Sequence, residues 1–253
     1  MKSVYTGDGK VAEFESYDEL RVGESKPAFI YEGNELVYPN PVKDGLALWY
    51  DFSGRTNADG QRGIAEDLSG NGNHGTLQNF NFTPESGYDK NKLLFDGVDD
   101  EISSEPLAST NLTWSITFTP IFKGEDSFLM SSQQNAFYLK LDLNGRVAVS
   151  ARGVDTPIDY TSTIETEAGK TYTIDFIHKD GEYRVYANSQ LVAESSKSMK
   201  GQLYGLRNIG RYTTASPRNF LGEIHSVKVY NKVLSPTEIA QNYAIEKERF
   251  GIE

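Results

Sequence analysis

In LTWSITFTP, residues 112–120, Leu112, Trp114, Ile116 and Phe118 fall on one parity and Thr113, Ser115, Thr117 and Thr119 on the other. Side chains of a strand point alternately to its two faces, so this spacing predicts a half-buried β-strand with an apolar core face. The same period continues downstream. In FYLKLDLNGRVAVSAR, Phe137, Leu139, Leu141 and Leu143 share one face, Asn144-Gly145 supply the positive φ angles of a two-residue turn, and Val147, Val149 and Ala151 return. TYTIDFIHK alternates Tyr172, Ile174 and Phe176, Asp180-Gly181 turns it into EYRVYA, and Asn188-Ser189 leads to LVAES. The middle of the chain therefore reads as antiparallel β. Composition agrees: 15 Tyr, 13 Phe and 23 Gly favour strands joined by tight turns over helices.

A helix is predicted only near the end of the sequence. Ser235-Pro236-Thr237-Glu238 offers an N-cap, a first-turn proline and a capping-box glutamate, and Gly251 suits the C-terminal cap. Ile239, Tyr243 and Phe250 are the expected buried stripe. At the other end, AFIYEGNELVYP reads as a small hairpin around Glu32-Gly33-Asn34-Glu35, followed by the stiff Pro39-Asn40-Pro41. Two isolated strands are marginal in water, so residues 1–42 are expected to form a docking segment ahead of a main domain over 43–253.

The 253 residues are enough to bury a core without disulfides, and the absence of Cys excludes thiolate metal sites and a cysteine nucleophile. The net charge of −11 opposes binding to phosphate backbones, which removes nucleic acid as a partner. No apolar run approaches the ~20 residues needed to span a bilayer, so membrane insertion is not expected. MKSVYTGDGKVAEFE has no apolar stretch after Lys2 to serve as a secretion signal. The expectation is a chain made in a cytoplasm that leaves only by lysis, inside a larger particle.

Several motifs carry chemistry on paper. GNGNHG matches the dinucleotide fingerprint literally, but neither a strand before it nor a helix after it is predicted, so it reads as a loop with positive-φ glycines. Asp67, Ser69, Asn71 and Asn73 stand at alternate positions, as in the first half of a calcium loop, but Gln78 occupies the place of the bidentate glutamate. Two readings stay open: a shallow oxygen-ligand calcium site, or a self-capped Asx turn. Asp96, Asp99, Asp100 and Glu101 could supply metal ligands or the paired acids of a glycoside hydrolase. Strand alternation would place Asp99 and Asp100 on opposite faces, which favours a solvated turn. His74, His178 and His225 have no zinc-type spacing and read as ordinary strand or loop residues. Trp49 and Trp114 lie on apolar parities and read as core, whereas Tyr160, Tyr204 and Tyr212 lie in polar, loop-like segments and are the candidate sugar-stacking rings.

Taken together, GLALWYDF at 45–52, EDLSGNGNHGTLQNF at 66–80, LLFDGVDD at 93–100, LTWSITF at 112–118 and FLGEIHSVKVYNKVLSPTEI at 220–239 resemble the laminin G-like, concanavalin A-like lectin/glucanase family. The resemblance implies an all-β, two-sheet antiparallel jelly-roll sandwich, with the N-terminal hairpin and the C-terminal helix added to it. It also implies carbohydrate binding and, in some members, calcium near the SGNGN loop. The acidic pair many members carry after the Gly-x-Ile segment is replaced here by His225 and Ser226, and the Glu-x-Asp-x-x-Glu motif of the glucanases is absent. The flanking segments resemble jelly-roll domains of tailed-bacteriophage virion proteins. The resulting expectation is a non-enzymatic virion structural protein of tail, neck or head. It would dock on other virion proteins through residues 1–42 and touch host-surface glycans in several copies. A purely structural decoration and a glycoside hydrolase are the alternatives.

Overall fold

A computed structural model describes residues 2–6, 9–14, 29–32, 35–107, 111–122, 124–132, 137–151, 158–179, 182–195, 205–212 and 218–253. The chain divides into two compact units, 1–42 and 43–253. The first holds two hairpins, β1 (Lys2–Thr6) with β2 (Gly9–Phe14) and β3 (Ile30–Glu32) with β4 (Glu35–Tyr38). The second of these is the hairpin read from AFIYEGNELVYP; the first is an addition to the sequence-based expectation.

The larger unit opens with β5 (Leu46–Asp51), β6 (Ile64–Ala65), β7 (Gly75–Gln78), β8 (Gly87–Asp89), β9 (Lys92–Asp96) and β10 (Glu101–Leu107). It continues with β11 (Leu112–Pro120), β12 (Ser127–Ser132), β13 (Phe137–Leu141), β14 (Arg146–Ala151) and β15 (Ile158–Glu165). Then follow β16 (Tyr172–Lys179), β17 (Glu182–Ala187), β18 (Gln190–Ser195), β19 (Leu206–Ile209), β20 (Leu221–Tyr230) and α1 (Pro236–Phe250). The first sheet runs β18-β17-β16-β11-β20-β9-β8, with β5 also on β20, and the second runs β15-β14-β13-β12-β19-β10-β7-β6. This is the expected two-sheet antiparallel jelly roll. One edge of β20 is shared: Leu221–Ile224 pair with β9, and Ser226–Tyr230 pair with β5.

The core lies between the sheets. Trp114 of β11 and Phe176 of β16 meet Phe137 of β13 with ring centroids 4.6 and 4.4 Å away, and all three are fully buried. Full burial of one such side chain is worth ~1.5–3 kcal/mol. The turn after β13 departs from the two-residue expectation. Only Gly145 takes positive φ, and Asp142 Oδ1 accepts from both Asn144 N and Arg146 N, giving a longer loop that leaves Leu143 exposed.

β11 is buried on both faces, not one. Its hydroxyl face is covered by α1, and the helix answers with polar residues. Ser235 and Glu238 form the predicted capping box, Pro236 opens the helix and Gly251 closes it in the left-handed region. The buried helical positions, however, are Ile239, Asn242 and Glu246 instead of Ile239, Tyr243 and Phe250. The physical reason is the surface beneath, where Thr117, Asp175, Ser226 and Lys228 project. Glu246 accepts from Thr117 Oγ1 at 2.9 Å, from Ser226 Oγ and from Lys228 Nζ, while Asn242 Nδ2 donates to Tyr230 Oη at 2.9 Å. Arg249 grips Asp51 and donates to Ser53 Oγ at 3.0 Å. Burial alone would raise the Asp51 pKa, but Arg249 and the Ser53 bonds hold it below the usual carboxylate range. Asp175 has no such partner: neither carboxylate oxygen makes a hydrogen bond, and burial raises its pKa to about 7, against the pull of Ser115 and Lys228. Trp49 is fully buried as expected, but on this helix side, where its ring lies 5.8 Å from Lys228 Nζ.

Candidate functional site

The outer face of the second sheet carries no helix among the described residues. Along β13, Phe137, Leu139 and Leu141 enter the core, which turns Tyr138 and Lys140 outward. In β12 a bulge between Phe128 and Met130 sets Phe128 opposite Lys140, on the same outer face. Tyr212 then lies over them. Its ring stacks on Phe128 at 4.5 Å and 29°, and meets Tyr138 edge-on at 5.3 Å. Phe128 and Tyr138 are thereby buried, and Tyr212 is the half-buried ring of the three. Lys140 Nζ lies 5.8 Å from both lower rings and bonds Asp126 at 2.6 Å, and Arg218 approaches the same carboxylate at 3.5 Å. The result is one aromatic platform with a charged, hydrogen-bonding rim.

The loop bearing Tyr212 is fixed from both sides. Gly210 N donates to Leu129 O at 3.0 Å, Phe220 N to Gly210 O at 2.8 Å, and Ser131 Oγ to Arg211 O at 2.9 Å. A side chain at Gly210, where φ is +85°, would strike the Phe95 ring at 2.3 Å. Beside Tyr212, Arg211 Nη1 lies 3.9 Å from Glu101 Oε1, and Arg211 Nε is buried without a hydrogen-bond partner. Burial raises the Glu101 pKa, with Arg211 and Arg207 pulling the other way.

Of the three tyrosines read as sugar-stacking rings, the structure places Tyr212 in this platform. Tyr160 lies in β15, opposite Val149 in register, with its side chain outside the described residues; Tyr204 lies outside them altogether. The residues that complete the platform, Phe128, Tyr138 and Lys140, were not singled out from the sequence. Tyr138 had a usable signal, as an aromatic on the polar parity of an otherwise alternating strand.

The four residues of the anticipated calcium loop do come together, but they face the β5 backbone. Asp67 Oδ1 accepts from Trp49 N and Ser69 N, each at 2.9 Å, and Oδ2 from Ser69 Oγ at 2.8 Å and Asn73 N at 2.9 Å. Asn71 Nδ2 donates to Leu46 O at 2.9 Å and Asn73 Nδ2 to Ala47 O at 2.8 Å. With its carboxylate answered by four donors, Asp67 is the hub of a self-capped turn, and a cation would have to displace these bonds.

A cluster of carboxylates that could hold a metal lies at Asp96, Asp99 and Asp100, whose ligand oxygens are all within 4.8 Å of one another. This corrects the opposite-face expectation for Asp99 and Asp100: with Gly97 at φ +74°, residues 97–100 form a turn and strand alternation does not apply. Burial, reinforced by Asp96 and Asp99, raises Asp100 to about 6, although it accepts from Asp96 N at 2.9 Å and Ser86 Oγ at 3.1 Å. The donor chemistry fits a cation of the calcium type, and the three carboxylates fall short of the six to eight oxygens such an ion takes. The histidines are structural: His74 Nδ1 accepts from Asp67 N at 3.1 Å, His178 is buried in β16, and His225, its pKa lowered by burial, bonds Thr119 Oγ1 at 2.9 Å.

Two antiparallel sheets packed face to face around one core define a jelly-roll sandwich. Residues 96–240 match the family model of the concanavalin A-like lectin/glucanases superfamily, and the chain belongs to that superfamily. No curated protein matches the sequence. Among solved structures, it is similar to Trypanosoma rangeli sialidase in complex with sialic acid, with a TM-score of 0.62, 18% identity, and coverage of 83% of this chain and 34% of that one. It is similar also to domain 4 of AbnA, a GH43 extracellular arabinanase from Geobacillus stearothermophilus, in complex with arabinotriose. There the TM-score is 0.62 at 15% identity, covering 78% of this chain and 98% of that one. The chain thus spans about a third of the length of the sialidase chains it matches. These likenesses concern the fold. They correct the expectation of a non-enzymatic protein, because glycosidase chains share this sandwich and the missing Glu-x-Asp-x-x-Glu motif speaks for the glucanase branch alone.

Proposed function

We propose that the protein binds carbohydrate on the outer face of the second sheet, with Tyr212 as the platform for a sugar ring. The observation that carries this is the stacking of Tyr212 on Phe128 at 4.5 Å, inside the rim of Lys140, Asp126 and Arg218. A ring already held by its neighbours loses little freedom on binding, and its apolar face with polar surroundings suits a ligand that is apolar on one side and hydroxylated at its edge. The arabinotriose complex of the similar arabinanase domain supports the choice of ligand class.

The test is calorimetric titration of the full chain with arabinotriose and with neutral and acidic oligosaccharides, alongside Tyr212→Ala. Saturable binding that weakens at least ~10-fold in the variant, about 1.4 kcal/mol, supports the reading. Binding that Tyr212→Ala leaves intact would sink it. A chelator arm addresses the metal: loss of binding on chelation, reproduced by Asp99→Asn without chelator, would place a calcium-type cation at the three-aspartate turn. Two settings are proposed for the module. One is virion display, with the separate unit 1–42 docking onto other virion proteins, which deletion of that unit would test through particle incorporation. The other is the carbohydrate-binding part of a longer glycosidase, supported by the glycosidase chains among its structural neighbours.

A further inference from the structure

Next to the aromatic platform sits a pair of charged groups whose hydrogen-bonding capacity is largely unspent. Glu101 leads β10 beside Ile102, a core residue, and so points to the outer face of the second sheet. Its side chain is 10% exposed and, among the described residues, accepts no hydrogen bond; its nearest cation, Arg211 Nη1, stands at 3.9 Å. Arg211, 15% exposed at its side chain, leaves Nε buried and without a partner. A nearly buried carboxylate and guanidinium normally close on each other, because each bond to a charged group left unmade is costly. Here the main chain holds them apart: Ser131 Oγ ties Arg211 O, and the ladder fixes Ile102 opposite Ile209. The gap exceeds hydrogen-bond reach and is the kind that a bridging hydroxyl or water fills.

We infer that Glu101 and Arg211 form the specificity subsite of this face, receiving two adjacent hydroxyls of a neutral sugar whose ring lies toward Tyr212. The inference rests on the carbohydrate-binding reading and deepens it. A carboxylate only accepts and a guanidinium only donates, so side by side they match a group that does both, and hydroxyls do. A sugar carboxylate would be repelled by Glu101 and an amino sugar by Arg211. Neighbouring hydroxyls on one ring meet the pair together, the carboxylate accepting a hydrogen bond from one and the guanidinium donating one to the other. Arg211 precedes Tyr212 directly, so one loop carries both the polar and the apolar parts of the site.

The experiment uses the full chain and immobilised arabinan, dextran and mannan, each in native form and after periodate oxidation and borohydride reduction, which cleaves adjacent diols and leaves the polymer neutral. Affinity is compared for the wild type, Glu101→Gln, Arg211→Met and Tyr212→Ala. The expected result is binding of at least one native polymer, weakened about 10-fold or more by oxidation and by either subsite variant, with no further loss for the subsite variants on oxidised polymer. Unchanged affinity after oxidation, with Tyr212→Ala still abolishing binding, overturns the diol subsite and leaves the carbohydrate reading standing. Binding to no glycan overturns both. Should Arg211→Met fail to fold, Glu101→Gln compared with the wild type on native and oxidised polymer still decides, because oxidation also opens the sugar ring that Tyr212 would stack on.

Discussion

Replacing Asp175 by Asn should change how stability depends on pH. In the folded protein burial raises this carboxyl from 3.8 to about 7, and neither oxygen makes a hydrogen bond. The folded state therefore keeps a proton at pH values where the unfolded chain has released it. Between pH 4 and 7 the unfolded state binds fewer protons, so stability falls as pH rises. A shift of roughly three units at ~1.36 kcal/mol each gives a loss of about 4 kcal/mol, complete just above pH 7. The side-chain amide of the Asp175→Asn variant has no such proton to lose. Denaturant unfolding at pH 5.0 and 8.0, followed by Trp49 and Trp114, which both report on the sandwich, measures the difference. Relative to the wild type, the variant should gain about 2–3 kcal/mol between the two pH values, the part of the loss that falls above pH 5. The comparison cancels the similar contribution of Asp100, which is raised to about 6. Parallel pH profiles for the two proteins would refute the claim that Asp175 is an uncompensated buried acid.

Three further outcomes follow from the packing. Phe137→Ala removes the ring wedged between Trp114 and Phe176 and should cost ~3–5 kcal/mol in denaturant unfolding. Gly222→Ala should destabilise by at least ~1 kcal/mol, because φ is +144° and the new Cβ would lie 2.3 Å from Thr119 O; an unchanged midpoint would contradict that close approach. Asp67→Ala leaves three main-chain donors and the Ser69 hydroxyl without their acceptor and should cost ~1–3 kcal/mol, with faster hydrogen exchange at Trp49, Ser69 and Asn73.

The strands and the helix caps were legible because they are local. Alternation in LTWSITFTP needs only the neighbouring residues, and Ser235, Pro236, Glu238 and Gly251 do their work within one turn of the helix ends. What covers a face is not local. The Thr113 to Thr119 parity looks solvent-facing until α1 lies on it. The helical stripe was misjudged for the same reason, since Asn242 and Glu246 are buried by the polar surface they meet. At the candidate site, Tyr212 stood out by its surroundings in sequence, but Phe128 reached the outer face through a bulge that no parity rule anticipates. The aspartate segment was legible as a turn, but the convergence of its carboxylates was not, because the alternation invoked for Asp99 and Asp100 does not run past the left-handed Gly97.

The strand β20 completes three ladders, with β11, β9 and β5, yet it is synthesised after all three of these partners. At ~5–20 residues per second, β5 would wait roughly 10–40 s on the ribosome for its partner. Through that interval the edges of β5, β9 and β11 that β20 will cover stay unpaired, the condition under which strands join the wrong chain. Pairings this distant also make for folding in milliseconds to seconds once the chain is released. Yield of the native protein should therefore respond to translation speed and to holdase chaperones more strongly than its equilibrium stability alone implies.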